Sequence, residues 1–157
     1  MVEVDVQTIS IAVASASVVA GVIYYSFQIR HQNKMRQTDL VMRLYAQFSS
    51  VEFQRTLEKV MKTEAKDFDE YNKKYGWSEA LSVIVFFEGI AILLNRKLVD
   101  LDLVGEMFSI VIKTTWEKNR DIILEARKAQ NQPMLFGWSE YLYKEIKKRE
   151  KKLGLKA

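Results

Sequence analysis

Between Asp5 and Arg30 the chain runs for 24 residues without a charge, VQTISIAVASASVVAGVIYYSFQI. As a helix this stretch is about 36 Å long, against roughly 30 Å of bilayer hydrocarbon, so it is long enough to span a membrane with some tilt. Val6, Ile9, Ile11, Val13, Val18, Val19, Val22, Ile23, Phe27 and Ile29 each favour insertion by about 0.3 to 0.6 kcal/mol. Gln7, Thr8, four serines and Gln28 oppose it. A secretory signal carries positive charge before its apolar run, whereas here Glu3 and Asp5 precede it with no Lys or Arg. The expectation is therefore a retained anchor: residues 1–5 a short extracytoplasmic tail, 6–29 a transmembrane helix, and 30–157 a cytoplasmic domain.

Orientation follows from the flanks. Arg30, Lys34 and Arg36 lie just after the span, with Tyr24 and Tyr25 near that end, where amphipathic rings favour the interface. Positive flanks stay inside, so the N-terminus is expected outside and the domain in the cytoplasm, at a single-pass cell-membrane location. The alternative is that 6–29 is a buried helix of a soluble domain; its serines and alanines leave that open. Ser10, Ala14, Ser17 and Gly21 recur at spacings of four, three and four, placing small side chains along one stripe. Small residues let backbones approach closely in lipid, which points to a homo-oligomer or to another membrane protein as partner, beside the lipid bilayer itself. Small residues are also simply common in membrane helices, and the pattern alone does not separate the two readings.

Composition removes most familiar chemistries. There is no cysteine, so there is no disulfide framework, thiol nucleophile or Cys-based metal site, and the single histidine, His31, cannot form a His pair. A di-metal carboxylate bundle needs Glu-x-x-His pairs, and no glutamate stands three residues before His31. No Gly-rich phosphate loop or nucleophile elbow is present, because Gly76-Trp77-Ser78 and Gly137-Trp138-Ser139 lack the surrounding pattern. No catalytic, cofactor-binding or metal-ligating residue is assigned, no small-molecule substrate is identifiable, and a non-enzyme is expected.

With one proline, six glycines and no alternating strand pattern, the chain reads as all-α. The expected architecture is an N-terminal transmembrane helix continuing into a cytoplasmic bundle of about four to five helices. Nothing breaks a helix from Gln28 to Gln47, where Leu40, Val41, Leu44, Tyr45 and Phe48 share one face. Ser49-x-x-Glu52 has the form of a capping box opening a second helix. Asp67 is a cap for a short helix over Phe68 to Tyr75, which Gly76 stops. Ala80 to Leu94 is the most apolar segment of the domain and reads as its central core helix; a second span is the alternative, opposed by Glu88 in its middle. Asp100 or Asp102 starts a long helix as far as about Arg127, Asn131-Gln132-Pro133 breaks the chain, and Leu135, Trp138, Leu142 and Ile146 define a last amphipathic helix.

The segment FFEGIAILLNRKLVDLDLVGEMFSIVIKTTWEKNRDII, with the junction RHQNKMR, the phrase FSSVEF, Trp116 and the aromatic run FGWSEYLY, resembles a prokaryotic family catalogued as domain of unknown function 4760. The resemblance implies an N-terminal membrane helix leading through a basic junction into a helical domain. It implies no activity and no functional residues.

Two charged features remain. Glu88 shares a helix face with Leu81, Ile84, Val85, Ala91 and Ile92, and a buried carboxylate needs a donor, water or a proton. Arg43, Arg55, Arg120, Arg127 and the Trp116 indole are its candidate partners; the structural reading is a buried acid fixing helix register, the functional one an acid in an interhelical pocket. From Lys144 to Lys156 seven basic residues face two acidic ones. Together with Arg30, Lys34 and Arg36, Lys147, Lys148, Lys151 and Lys152 are candidates for contact with anionic lipid, at about 1 kcal/mol per residue near the surface. A solvated helix end is the alternative, and nucleic acid is the weaker partner because no recognised motif accompanies the charge. The functional expectation is a membrane-anchored helical interaction or scaffold protein. The alternatives are a membrane-bound enzyme or regulator using Glu88, and a soluble basic nucleic-acid binder.

Overall fold

The computed structural model describes residues 5–155, in which every regular element is helical. In chain order these are α1 (Val6–Phe48), α2 (Val51–Lys62), α3 (Phe68–Tyr75), α4 (Ser78–Asn95), α5 (Leu101–Ala129) and α6 (Gly137–Lys152). The all-α expectation and the bundle of five helices after the long first one are what the structure contains. A division into two compact units falls inside α1, one ending at Asp39 and the other beginning at Leu40. Among the described residues the first fully buried side chain is Val41, two residues past Asp39.

In the second unit α4 packs against α2 and α6, while α5 packs against α6 and α3. Val83, Ile90, Val104, Phe108, Ile123, Leu142 and Ile146 are fully buried at the centre. One end of the core is aromatic: Phe53 and Phe86 have ring centroids 4.7 Å apart, and Phe48 meets Phe108 edge-on at 5.3 Å. A second aromatic group holds the turn between α3 and α4, where Phe68 and Tyr71 each meet Trp77 edge-on at 5.1 and 5.6 Å.

The local stop signals act where the sequence places them, with one displacement. Asp67 accepts from Glu70 N–H at 2.8 Å, and Asp100 accepts from Asp102 and Leu103 N–H at 2.8 and 3.2 Å. Gly76 ends α3 at φ 72°, a left-handed conformation that costs glycine nothing. The cap of α2, however, is Ser50 and not Ser49: its hydroxyl oxygen accepts from Phe53 N–H at 3.2 Å. Ser49 still belongs to the end of α1, its N–H donating to the Tyr45 carbonyl and its hydroxyl to Ala46 O. The apolar register of α1 persists to Phe48, and that moves the start of α2 one residue along.

Candidate membrane segment and carboxylate caps

Residues 6–29 of α1 are exposed throughout except for Gly21, which is partly covered. The ten apolar residues that favour insertion are 50 to 76% exposed. An apolar surface of this extent is not left to water in a soluble chain, and it calls for a cover. Its four serines are satisfied internally. The hydroxyls of Ser10, Ser15, Ser17 and Ser26 donate to the carbonyls of Val6, Ile11, Val13 and Val22 at 2.8 to 2.9 Å. An unpaired hydroxyl moved into hydrocarbon costs several kcal/mol, so these i−4 bonds remove most of the opposition that the serines offer to insertion. Ser10, Ala14 and Ser17 of the small-residue stripe are exposed, and a Cβ added at Gly21 would meet nothing within 4 Å. Arg30, Lys34 and Arg36 are exposed beyond the apolar run, and the rings of Tyr24 and Tyr25 meet edge-on at 5.8 Å.

Glu88 is half-buried, and its partner is neither an arginine nor the Trp116 indole. One carboxylate oxygen accepts from the backbone N–H groups of Trp138 and Ser139, at 3.0 and 3.3 Å. Those are among the amides at the start of α6 that have no partner inside the helix. The residue at the cap position, Phe136, sits in the left-handed region at φ 55° and offers no side-chain acceptor. Glu88 supplies from α4 the acceptor that Ser, Asp or Asn ordinarily supplies locally, with its negative charge at the positive end of the helix dipole. Ser139 reinforces the joint, its hydroxyl donating to the Ile84 carbonyl one turn before Glu88 at 3.3 Å.

The same device recurs at α3. Glu125 of α5 accepts from Phe68 N–H at 2.8 Å, beside the local cap made by Asp67. No local pattern points to either contact, because the partners lie 57 and 50 to 51 residues apart.

Arg127, one of the partners considered for Glu88, is committed elsewhere: it reaches the Leu135 carbonyl at 2.8 Å and Glu140 at 2.9 Å. Its second guanidinium nitrogen, Nη2, is buried without a partner. Hydrogen bonds from Lys144 and Arg127 hold the Glu140 carboxyl below its ordinary pKa, with burial opposing them. Further along α6, Lys113 of α5 pairs with buried Glu150 at 2.9 Å, and the Arg149 side chain, only 10% exposed, lies over Gly105 and reaches Asp102 at 2.8 Å. Much of the basic end of α6 is thus engaged within the bundle. Lys148 pairs with Glu145 at 2.6 Å and Lys147 lies over the Tyr143 ring, while Lys151 and Lys152 are exposed.

Glu88 also borders an open cleft of about 570 Å³ formed with residues 131–136. Its other lining residues include Pro133, Leu135 and Phe136, and no second titratable group faces it there. Among the described residues no group of three His, Asp or Glu side chains is placed to hold a metal ion.

These features define an all-helical protein with a long apolar N-terminal helix and a packed bundle whose polar contacts tie helix to helix. A family model described as Domain of unknown function (DUF4760) matches residues 12–146, and the chain belongs to that family. No curated protein and no solved structure matches it.

Proposed function

We propose that the chain is a single-span membrane protein, with residues 6–29 in the bilayer, the N-terminus outside, and the helices after the span forming a cytoplasmic module that binds another protein without catalysing a reaction. The observation that carries this reading is the exposed, uncharged length of α1 whose serine hydroxyls are satisfied by its own carbonyls. With the serines satisfied, the remaining polar side chains of the span, Gln7, Thr8, Tyr24, Tyr25 and Gln28, fall near its two ends, where the interface supplies water. The orientation is supported by Arg30, Lys34 and Arg36, all exposed just beyond the apolar run. The non-catalytic reading is supported by Glu88, whose carboxylate is occupied with capping a helix.

Alkaline carbonate extraction tests the span, and reporter fusions at both ends test the orientation. The expected result is a protein that stays with the membrane pellet, with a cytoplasmic C-terminal reporter. Release into the supernatant would overturn the span, and an external C-terminal reporter would overturn the orientation.

A further inference from the structure

Beneath the connection from α2 to α3 lies a cavity of about 450 Å³, bounded by that connection, by α3 and by α5. It falls within the size range of small-molecule sites, about 300 to 1,000 Å³. Each of the three walls contributes a lysine: Lys66 from the connection, Lys74 from α3 and Lys118 from α5. None of them takes part in the salt bridges found among the described residues. Lys74 Nζ donates to the Glu64 carbonyl at 3.5 Å and lies 5.1 Å over the Tyr75 ring, and its interaction with Tyr75 raises its pKa further. Two acids share the lining, Glu64 and Glu70, the latter accepting from Lys66 N–H at 2.9 Å while keeping its charge. Three lysines against these two carboxylates leave the cavity a formal balance of about +1.

Two polar side chains lining the cavity are buried. Tyr71 is 3% exposed and Asn119 4%. The Asn119 amide nitrogen donates to the Thr115 carbonyl at 2.8 Å, which leaves its amide oxygen for a ligand donor. Burial raises the Tyr71 pKa against its side-chain hydrogen bond with Thr63, so the phenol stays neutral at physiological pH, its proton engaged by Thr63 and its oxygen left as an acceptor. Ile122 adds an apolar wall. Lysines brought to one cavity by three separate elements suit a compact dianion, because lysine acts as a point charge toward phosphate and needs no planar match. The neutral Tyr71 and Asn119 oxygens nearby suit, as acceptors, the hydroxyls of the alcohol that carries it.

We propose that this cavity binds a phosphate monoester, held by Lys66, Lys74 and Lys118, with its alcohol portion against Tyr71, Asn119 and Ile122. The chemistry is shared by a soluble phosphate ester and by the headgroup of phosphatidic acid. The probe is glycerol 3-phosphate, titrated calorimetrically into the full chain in a nonionic detergent. Saturable binding is expected, weakened about tenfold, or about 1.4 kcal/mol, by Lys118→Gln or Lys74→Gln. Glu64→Gln is expected to tighten it, and Lys128→Gln, an exposed lysine elsewhere on α5, to leave it unchanged. All four positions are exposed, so the variants keep the fold. Repeating the titration in micelles doped with phosphatidic acid separates the two sources: displacement identifies the lipid headgroup as occupant, and undiminished binding identifies the soluble ester. Absence of saturable binding up to about 10 mM, a Kd too weak to reflect three lysine charges, would overturn the proposal. So would equal weakening by Lys128→Gln, which would reduce the effect to general surface charge.

Discussion

Glu88→Ala removes the acceptor shared by Trp138 and Ser139 N–H and leaves the start of α6 with no side chain in its place. Loss of an N-cap costs about 1 kcal/mol, and loss of a negative charge near a helix N-terminus adds about 0.3 to 1 kcal/mol. The site is half-buried, so water recovers part of the loss. Alanine is also the better helix former within α4, by a few tenths of a kcal/mol. The balance is a destabilisation of about 1 to 2 kcal/mol, which for a bundle of this size lowers Tm by roughly 4 to 10 °C. Glu88→Gln keeps an acceptor oxygen and loses only the charge, so its cost is about 0.5 kcal/mol. Thermal unfolding of the full chain in detergent, followed by circular dichroism, gives the ranking of the three proteins. Amide exchange at Trp138 and Ser139 supplies a local readout: it should quicken in Glu88→Ala before any change elsewhere in α6. An unchanged Tm together with unchanged exchange at those two amides would refute the capping argument.

Gly105→Ala would put a Cβ 2.8 Å from Arg149 Cδ and push the guanidinium from Asp102. The gain of about 1 kcal/mol that alanine brings over glycine within a helix should therefore be absent in the wild-type background and appear when Gly105→Ala is added to Arg149→Ala, both read in the same unfolding assay. Thr115 is 4% exposed and its hydroxyl has no partner, so Thr115→Val, close in shape, should leave Tm unchanged or raise it, and a clear fall would show that the hydroxyl is satisfied in solution. Glu140 has a lowered folded pKa, so its stabilising contribution is complete above the ordinary glutamate value of 4.5 and is lost as pH falls through the lower folded value. Glu140→Gln should accordingly flatten the acid limb of the stability profile, measured by unfolding between about pH 6 and pH 3.

What could be read from the sequence was what is decided locally. Asp67, Gly76 and Asp100 act within three residues of themselves, and those helix ends fall where the pattern puts them. Leu142 and Ile146 are fully buried, as their 3.6-residue spacing requires. The face of α4 was less legible, because apolar residues surround most of the helix. Leu81, Val85 and Ile92, grouped with Glu88 on an apolar face, are 38, 52 and 37% exposed, whereas Val83, Phe87 and Ile90 on other sides are buried. Trp138 shows the same limit from the other direction. Its side chain suggests a core position and is 40% exposed, while its backbone N–H makes the contact that joins α6 to α4. Contacts between a side chain and a distant amide leave no residue-type signature on the amide's side, so neither Glu88 nor Glu125 could be matched to its partner by composition or spacing.

The polar ties of α6 also change how the charge at the end of the chain is to be weighed. Counted along the sequence, Lys144 to Lys156 has an excess of five positive charges, nominally about 5 kcal/mol of attraction to an anionic leaflet. In the folded bundle Lys144 meets Glu140, Lys148 meets Glu145, and Arg149 lies against Asp102 with Glu106 3.7 Å away. Glu150 in turn is neutralised by Lys113, so the pairing removes acids as well as bases from the tally. Of the described basic residues from Lys144 to Leu155, Lys147, over the Tyr143 ring, and exposed Lys151 and Lys152 are left without an acid partner, a contribution of about 3 kcal/mol near a surface. The ten apolar residues of α1, at about 0.3 to 0.6 kcal/mol each, favour insertion by about 3 to 6 kcal/mol, which is as much or more. Any hold on a membrane therefore rests first on the apolar helix, while Arg149 of α6, with Lys113 and Arg127 of α5, fastens the two helices to each other.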